Sequence, residues 1–170
     1  MQVTTKLYHM KNIIVRENDA LVDELEFALL HYPPAHTEIK SVFTKGLYSR
    51  AMYAKKGEDG AMAVLISMPH KTEHQFFLMQ GKLSISIDNG EWKTYEAPYA
   101  GITLSGTRRV AVVHEDIIWV TVHPLGWING NENDLPKDEF EKVVNKIEKI
   151  LIEPMENKLI TYKFNQICHS

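Results

Sequence analysis

Hydrophobic positions along this chain follow two periods, and the change between them divides it. Over residues 18–31, Leu21, Val22, Leu25, Ala28 and Leu29 recur at helical spacing. Asn18 or Asp19 can cap that helix, Asp23 and Glu24 sit near its positive end, and Pro33-Pro34 stops it. From about residue 39 to residue 124, short apolar or alternating runs replace the helical stripe. The runs are Leu47–Ala54, Ala61–Met68, His74–Met79, Lys82–Ile87, Trp92–Tyr95, Gly101–Leu104, Arg109–Val113 and Ile117–His123. Turn residues separate them, among them Gly81, Gly106 and the Asn89-Gly90 pair, whose tolerance of positive φ suits a hairpin. Many short strands at near-even spacing predict a sandwich or small barrel.

Helical spacing returns at 136–151. Phe140, Val143, Val144, Ile147, Ile150 and Leu151 form one apolar stripe, Asp134 can cap the helix, and Pro136 suits its first turn. The stripe can dock on its own sheet or on a partner subunit, and local docking is the usual use of such a face. Residues 158–167 alternate well enough for a final strand. A length of 170 residues suits one domain, which at that size buries roughly two-thirds of its unfolded surface.

Composition narrows the partners. With 44% apolar residues, 24% charged residues and a net charge of −3, both signs interspersed, no clustered basic face for nucleic acid is expected. No apolar run approaches the ~18 residues of a membrane span. The first residues, MQVTTKLYHMKN, lack a signal peptide's apolar centre, so a cytoplasmic location is expected. Cys168 is the only cysteine, which excludes a disulfide framework and a thiolate-rich metal site. There are eight histidines, so their placement matters.

The segment Met68-Pro69-His70-Lys71-Thr72-Glu73-His74, followed seven residues later by Gly81, concentrates metal-capable nitrogens. His70 and His74 share strand parity. On an extended strand they would lie ~13 Å apart, so a shared metal requires residues 71–73 to bend. Downstream, Ile117–His123 ends in another histidine. If His114-Glu115-Asp116-Ile117 closes a tight hairpin, His123 lies across from Arg108. Arg108 and Arg109 alternate on one strand, so one should point inward. An inward arginine either binds an anionic ligand group or pairs with Glu73, Glu96 or Glu115. Phe76 and Leu78 read as core, and Tyr48, Tyr53, Tyr99 and Trp119 as core or pocket lining.

The segment from Met68 to Leu83 resembles the first motif of the cupins, and Ser105-Gly106-Thr107-Arg108-Arg109 resembles the second. On that resemblance His74 stands where the family usually has glutamate, His70 is the second histidine of the family pair, and Met68 replaces the first. Arg109 replaces the histidine of the second motif. HKTEH, YAGITLSGTRRV and HEDIIWVTVHP are also similar to stretches of small cupin-like proteins common in phage genomes.

The resemblance implies a mostly β, cupin-type antiparallel β-barrel (jelly roll) with an N-terminal and a C-terminal helix, its barrel core spanning about 45–124. With the motif histidines His70 and His74, a divalent metal, Fe, Zn, Mn or Ni, is expected; the residue placements above add His123 as a further ligand, Glu73 as ligand or general base, and Arg109 as the group orienting a small polar or anionic substrate. The alternatives are a metal-free protein that binds or sequesters a small ligand, and an assembly protein. A homodimer or higher homo-oligomer is expected in each case.

Overall fold

The structure is a computed structural model and describes residues 19–58, 61–88 and 90–152. Nine strands occur among them: β1 (Thr37–Thr44), β2 (Leu47–Ala54), β3 (Ala63–Ile66), β4 (His74–Gln80), β5 (Lys82–Ile87), β6 (Lys93–Glu96), β7 (Tyr99–Thr103), β8 (Arg109–Val113) and β9 (Ile117–Pro124). Helix α1 (Asp19–Leu29) precedes them, and a 3₁₀ turn (Asn131–Asp134) and α2 (Lys137–Leu151) follow. The strands pair antiparallel in two sheets, in the orders β1-β2-β9-β4-β7 and β3-β8-β5-β6. From β2 to β9 the chain alternates between the sheets except at the β5–β6 hairpin, which is jelly-roll winding.

The strands form two antiparallel sheets in the expected jelly-roll manner, and the hydrogen-bonded sheets do not join into one closed sheet. Several expectations change here. The expected strands begin at Leu47, whereas β1 adds an edge strand at Thr37–Thr44. β8 and β9 do not form a hairpin: the His114–Asp116 corner carries the chain from one sheet to the other. Asp134 ends the 3₁₀ turn rather than capping α2, whose N-cap is Pro136 with no side-chain cap. Asn18, Asn89 and the expected strand at 158–167 lie outside the described residues.

Strand alternation builds the core. Leu78, Leu83, Ile85, Ala111, Val113 and Ile117 face one another between the sheets. Gly81 turns β4 into β5 at φ +81°, and a Cβ there would lie 2.2 Å from the Asp116 carbonyl oxygen, which suits only glycine. A second cluster forms where α2 lays Val144, Ile147 and Leu151 on Phe43, Tyr48, Leu125 and Ile128. The α2 stripe therefore docks on its own chain, although Ile150 stays 41% exposed. Asn133 clamps β1 beside it, accepting from the Phe43 N–H and donating to the Phe43 carbonyl.

Helix α1 buries only part of its expected face and adds an acidic position to it. Leu21 is 55% exposed, while Val22 and Asp23 are buried. Arg108, 2% exposed at the start of β8, is the cause. Its guanidinium donates to the Asp23 and Glu26 carboxylates, which share a helix face at i, i+3. The partners are thus neither Glu73, Glu96 nor Glu115. Burial raises the Glu26 carboxyl above the usual range, against the pull of Arg108. Removing the one cation would strand two desolvated carboxylates. Arg108→Ala is expected to destabilise the protein by about 3–5 kcal/mol, read from urea unfolding, with α1 released first in hydrogen exchange.

Candidate metal centre

Four inward positions line up across the five-stranded sheet: Tyr48 on β2, His123 on β9, His74 on β4 and Thr103 on β7. Tyr48 pairs with His123, and His74 with Thr103. The β4–β9 register, Gln75 opposite Val122, brings the two histidines side by side, with ring centroids 4.2 Å apart. Both are buried, His74 at 4% and His123 at 1% exposed.

His70 reaches the same place through a bend. Residues 71 and 72 leave extended geometry before β4 begins at His74. The His70 ring lies 4.5 Å from that of His74 and 5.3 Å from that of His123, centroid to centroid. Three backbone ties hold the bend. The Gly106 N–H donates to the His70 carbonyl at 2.7 Å, the Ser105 hydroxyl to the Lys71 carbonyl at 2.7 Å, and the Lys71 N–H to the Leu151 carbonyl at 2.7 Å. An isolated bridge also pairs His70 with Ile152, just past α2.

Each ring spends one nitrogen on the residue two positions earlier. His70 bonds the Met68 backbone, His74 Nδ1 lies 3.3 Å from the Thr72 carbonyl, and His123 Nε2 lies 3.1 Å from the Thr121 hydroxyl. Such bonds orient the rings, and on His74 the carbonyl partner keeps the proton on Nδ1 and leaves Nε2 a free lone pair. On His123 the second nitrogen is Nδ1, buried with no hydrogen-bond partner, an expense that a metal ion would remove. One donor nitrogen from each ring lies within 4.8 Å of the other two. A tetrahedral ion with 2.1 Å bonds needs ~3.4 Å, a difference within reach of ring rotation. The residues present therefore fit a divalent ion held by three imidazoles, with a position left for water or ligand.

Burial, with the neighbouring imidazoles and Arg50 behind it, pushes His70 and His123 down to about 3. His74 is lowered too, chiefly by burial. All three are neutral at neutral pH, the form that binds metal.

The other expected site residues fall in different places. Glu73 is exposed and is not among the clustered ligand atoms, its parity turning it away from His74. Arg109 points between the sheets, 9% exposed, where its Nη1 donates to the Thr103 hydroxyl at 2.6 Å and its plane lies 5.4 Å from the Phe76 ring centre. His123 enters the group opposite Tyr48, not opposite Arg108. Phe76 and Leu78 are core, and Trp119 stacks on Phe76 at 4.4 Å. Tyr53 is 40% exposed. Two further residues border the cluster without having been singled out: Thr103, and Arg50, which shares β2 parity with Tyr48. That parity was the available signal. Beside the cluster, Phe76, Tyr95, Tyr99, Gly101 and Arg109 help line a cavity of about 80 Å³.

No protein-family model matches this chain, and no curated protein does. Among solved structures, KdgF from a Halomonas species aligns over 55% of this chain and 81% of its own, at 16% identity and a TM-score of 0.41. A Klebsiella pneumoniae protein with a double-stranded β-helix domain aligns over 55% and 79%, at 18% identity and a TM-score of 0.44. A cupin family protein from Methanocaldococcus jannaschii aligns over 54% and 82%, at 8% identity and a TM-score of 0.42. None of the described helices is long and apolar enough to cross a membrane.

Because the imidazoles are already deprotonated, zinc titration at neutral pH is expected to release fewer than about one proton per ion, measured by calorimetry in buffers of different ionisation enthalpy. In the metal-free protein the unfolded chain takes up protons on His70 and His123 below about 6.5, while the folded chain resists until about 3. Stability is thus fully present above about 6.5 and declines as pH falls toward about 3. Thermal midpoints measured across that window should fall less in His123→Gln than in the parent, relative to each protein's value at neutral pH.

Proposed function

We propose that this chain is a metal-binding cupin in which His70, His74 and His123 hold a divalent ion, and that it binds or acts on a small anionic molecule oriented by Arg109. The observation carrying this reading is the cluster of three imidazoles, His74 and His123 buried and His70 half-buried, with a ligand nitrogen of each within 4.8 Å of the other two. A bound ion of this kind acts as a Lewis acid or lowers the pKa of a bound water. The chain's own residues do the rest. Arg109 offers a guanidinium fork to a carboxylate or phosphate. Phe76 and Trp119 exclude water beside it, and Thr103 fixes the fork's orientation. Met68, where the cupin pattern has a histidine, contributes its backbone to His70 instead of a ligand atom.

A second reading, a metal-free protein that binds or sequesters a small ligand, is favoured by Arg109 standing where the second motif has a histidine. In both readings we take the chain as a phage-type protein of the host cytoplasm, acting as a homodimer. The support for that setting is the likeness of its motif stretches to small phage-encoded proteins.

Elemental analysis of protein purified without chelators separates the readings. About one Fe, Zn, Mn or Ni per chain is expected. His74→Ala and His123→Ala should each lower retained metal by on the order of 100-fold in affinity or more, since two imidazoles bind far more weakly than three. Metal content unchanged in both variants would sink the first reading.

A further inference from the structure

Two cationic side chains border the histidine cluster, and neither is neutralised in the way Arg108 is. Arg109 makes its hydrogen bond to a hydroxyl, and among the described residues it has no salt bridge to a carboxylate. A buried guanidinium without an anion is costly, so the position makes sense when a ligand supplies one. Arg50 stands on the other side. It pairs across strands with Thr121, the residue bonded by the His123 ring, and shares its inward face. Its Nε is buried with no hydrogen-bond partner. Its acidic neighbour among the described residues, Glu148 of α2, forms only a long ion pair with it at 3.8 Å, with both side chains about a quarter exposed. Among the described residues the cluster between the two arginines groups three imidazoles and no carboxylate. A ligand entering this space meets positive charge on both sides.

We propose that the site takes a short dianion, with one anionic group held by Arg109 and the other by Arg50, across the three histidines. The proposal rests on the reading of the site as an anion-binding centre, and it adds the number of charges and their spacing. Arg50 on β2 and Thr103 on β7, which anchors Arg109, are separated by three strand spacings, ~14 Å. A guanidinium–carboxylate contact takes on the order of 4 Å at each end. Both arginines reach inward from those positions, which shortens the gap toward that of a short chain: dicarboxylates with four or five carbons are expected to fit it better than an eight-carbon one.

Isothermal titration of the full chain with acetate, succinate, glutarate and suberate tests this, in metal-free protein and in protein whose metal content is measured on the same samples. Succinate or glutarate is expected to bind tighter than acetate and suberate by on the order of tenfold or more. Arg50→Gln should bring succinate down to the acetate level, while Arg50→Lys should retain part of the preference. If Arg50→Gln does not fold, the chain-length series on the parent protein decides. Equal affinity for acetate and succinate, or undiminished preference in folded Arg50→Gln, would overturn the dianion. Metal bound without a dicarboxylate preference refutes this inference and spares the metal centre. Dicarboxylate preference without metal supports the inference and removes the metal.

Discussion

The site depends on one register, that of β4 against β9. In an antiparallel pair a slip of a single residue exchanges the two faces of a strand. With Gln75 opposite Val122, both His74 and His123 face the interior and touch. Shifted by one, a histidine would turn to the outer face and the trio would dissolve. The core enforces the register, because Phe76 and Leu78 on β4 and Trp119 and Ile117 on β9 follow the same alternation as the histidines. The apolar interior and the polar site are thus specified by one set of alternate positions. At one end of the sandwich the alternate residues are aliphatic or aromatic, and at the other they are imidazoles.

The adjacent arginines show how one strand divides two tasks. Arg108 turns outward and is covered by α1, whose Asp23 and Glu26 neutralise it. Arg109 turns inward and meets a hydroxyl and an aromatic face. Parity alone separates them, and the presence or absence of carboxylates decides what each can do. The first joins helix to sheet. The second keeps unspent charge where a ligand can use it.

Much of this was legible in the chain. The runs at Leu47–Ala54, Lys82–Ile87 and Arg109–Val113 coincide with strands, since each is bounded by turn residues and carries an alternating or buried pattern. The bend between His70 and His74 was required by chemistry before any coordinates. The routing of β8 into β9 was less legible, because a three-residue corner reads alike whether it closes a hairpin or crosses between sheets. The burial of α1 was also hidden. Of its apolar stripe Val22 is buried and Leu21 is not, and only the long-range partner Arg108 reveals that the acidic edge with Asp23 and Glu26 is also held inward. Arg50 escaped for a similar reason: its neighbours, Thr121 and Glu148, are far away in sequence and come near only through pairing and helix docking.

The loop that carries His70 is tied to the end of α2, through the Lys71 N–H on the Leu151 carbonyl and the pairing of His70 with Ile152. His74 and His123 are carried by strands of the sheet and, among the described residues, have no backbone tie to that helix. Two donors are therefore set by the sheet and the third by a separately docked element, so occupancy of the centre and seating of the helix are thermodynamically linked. Whatever loosens the helical end lowers the denticity of the cage from three to two, and an ion gripping all three rings holds the helix down in return.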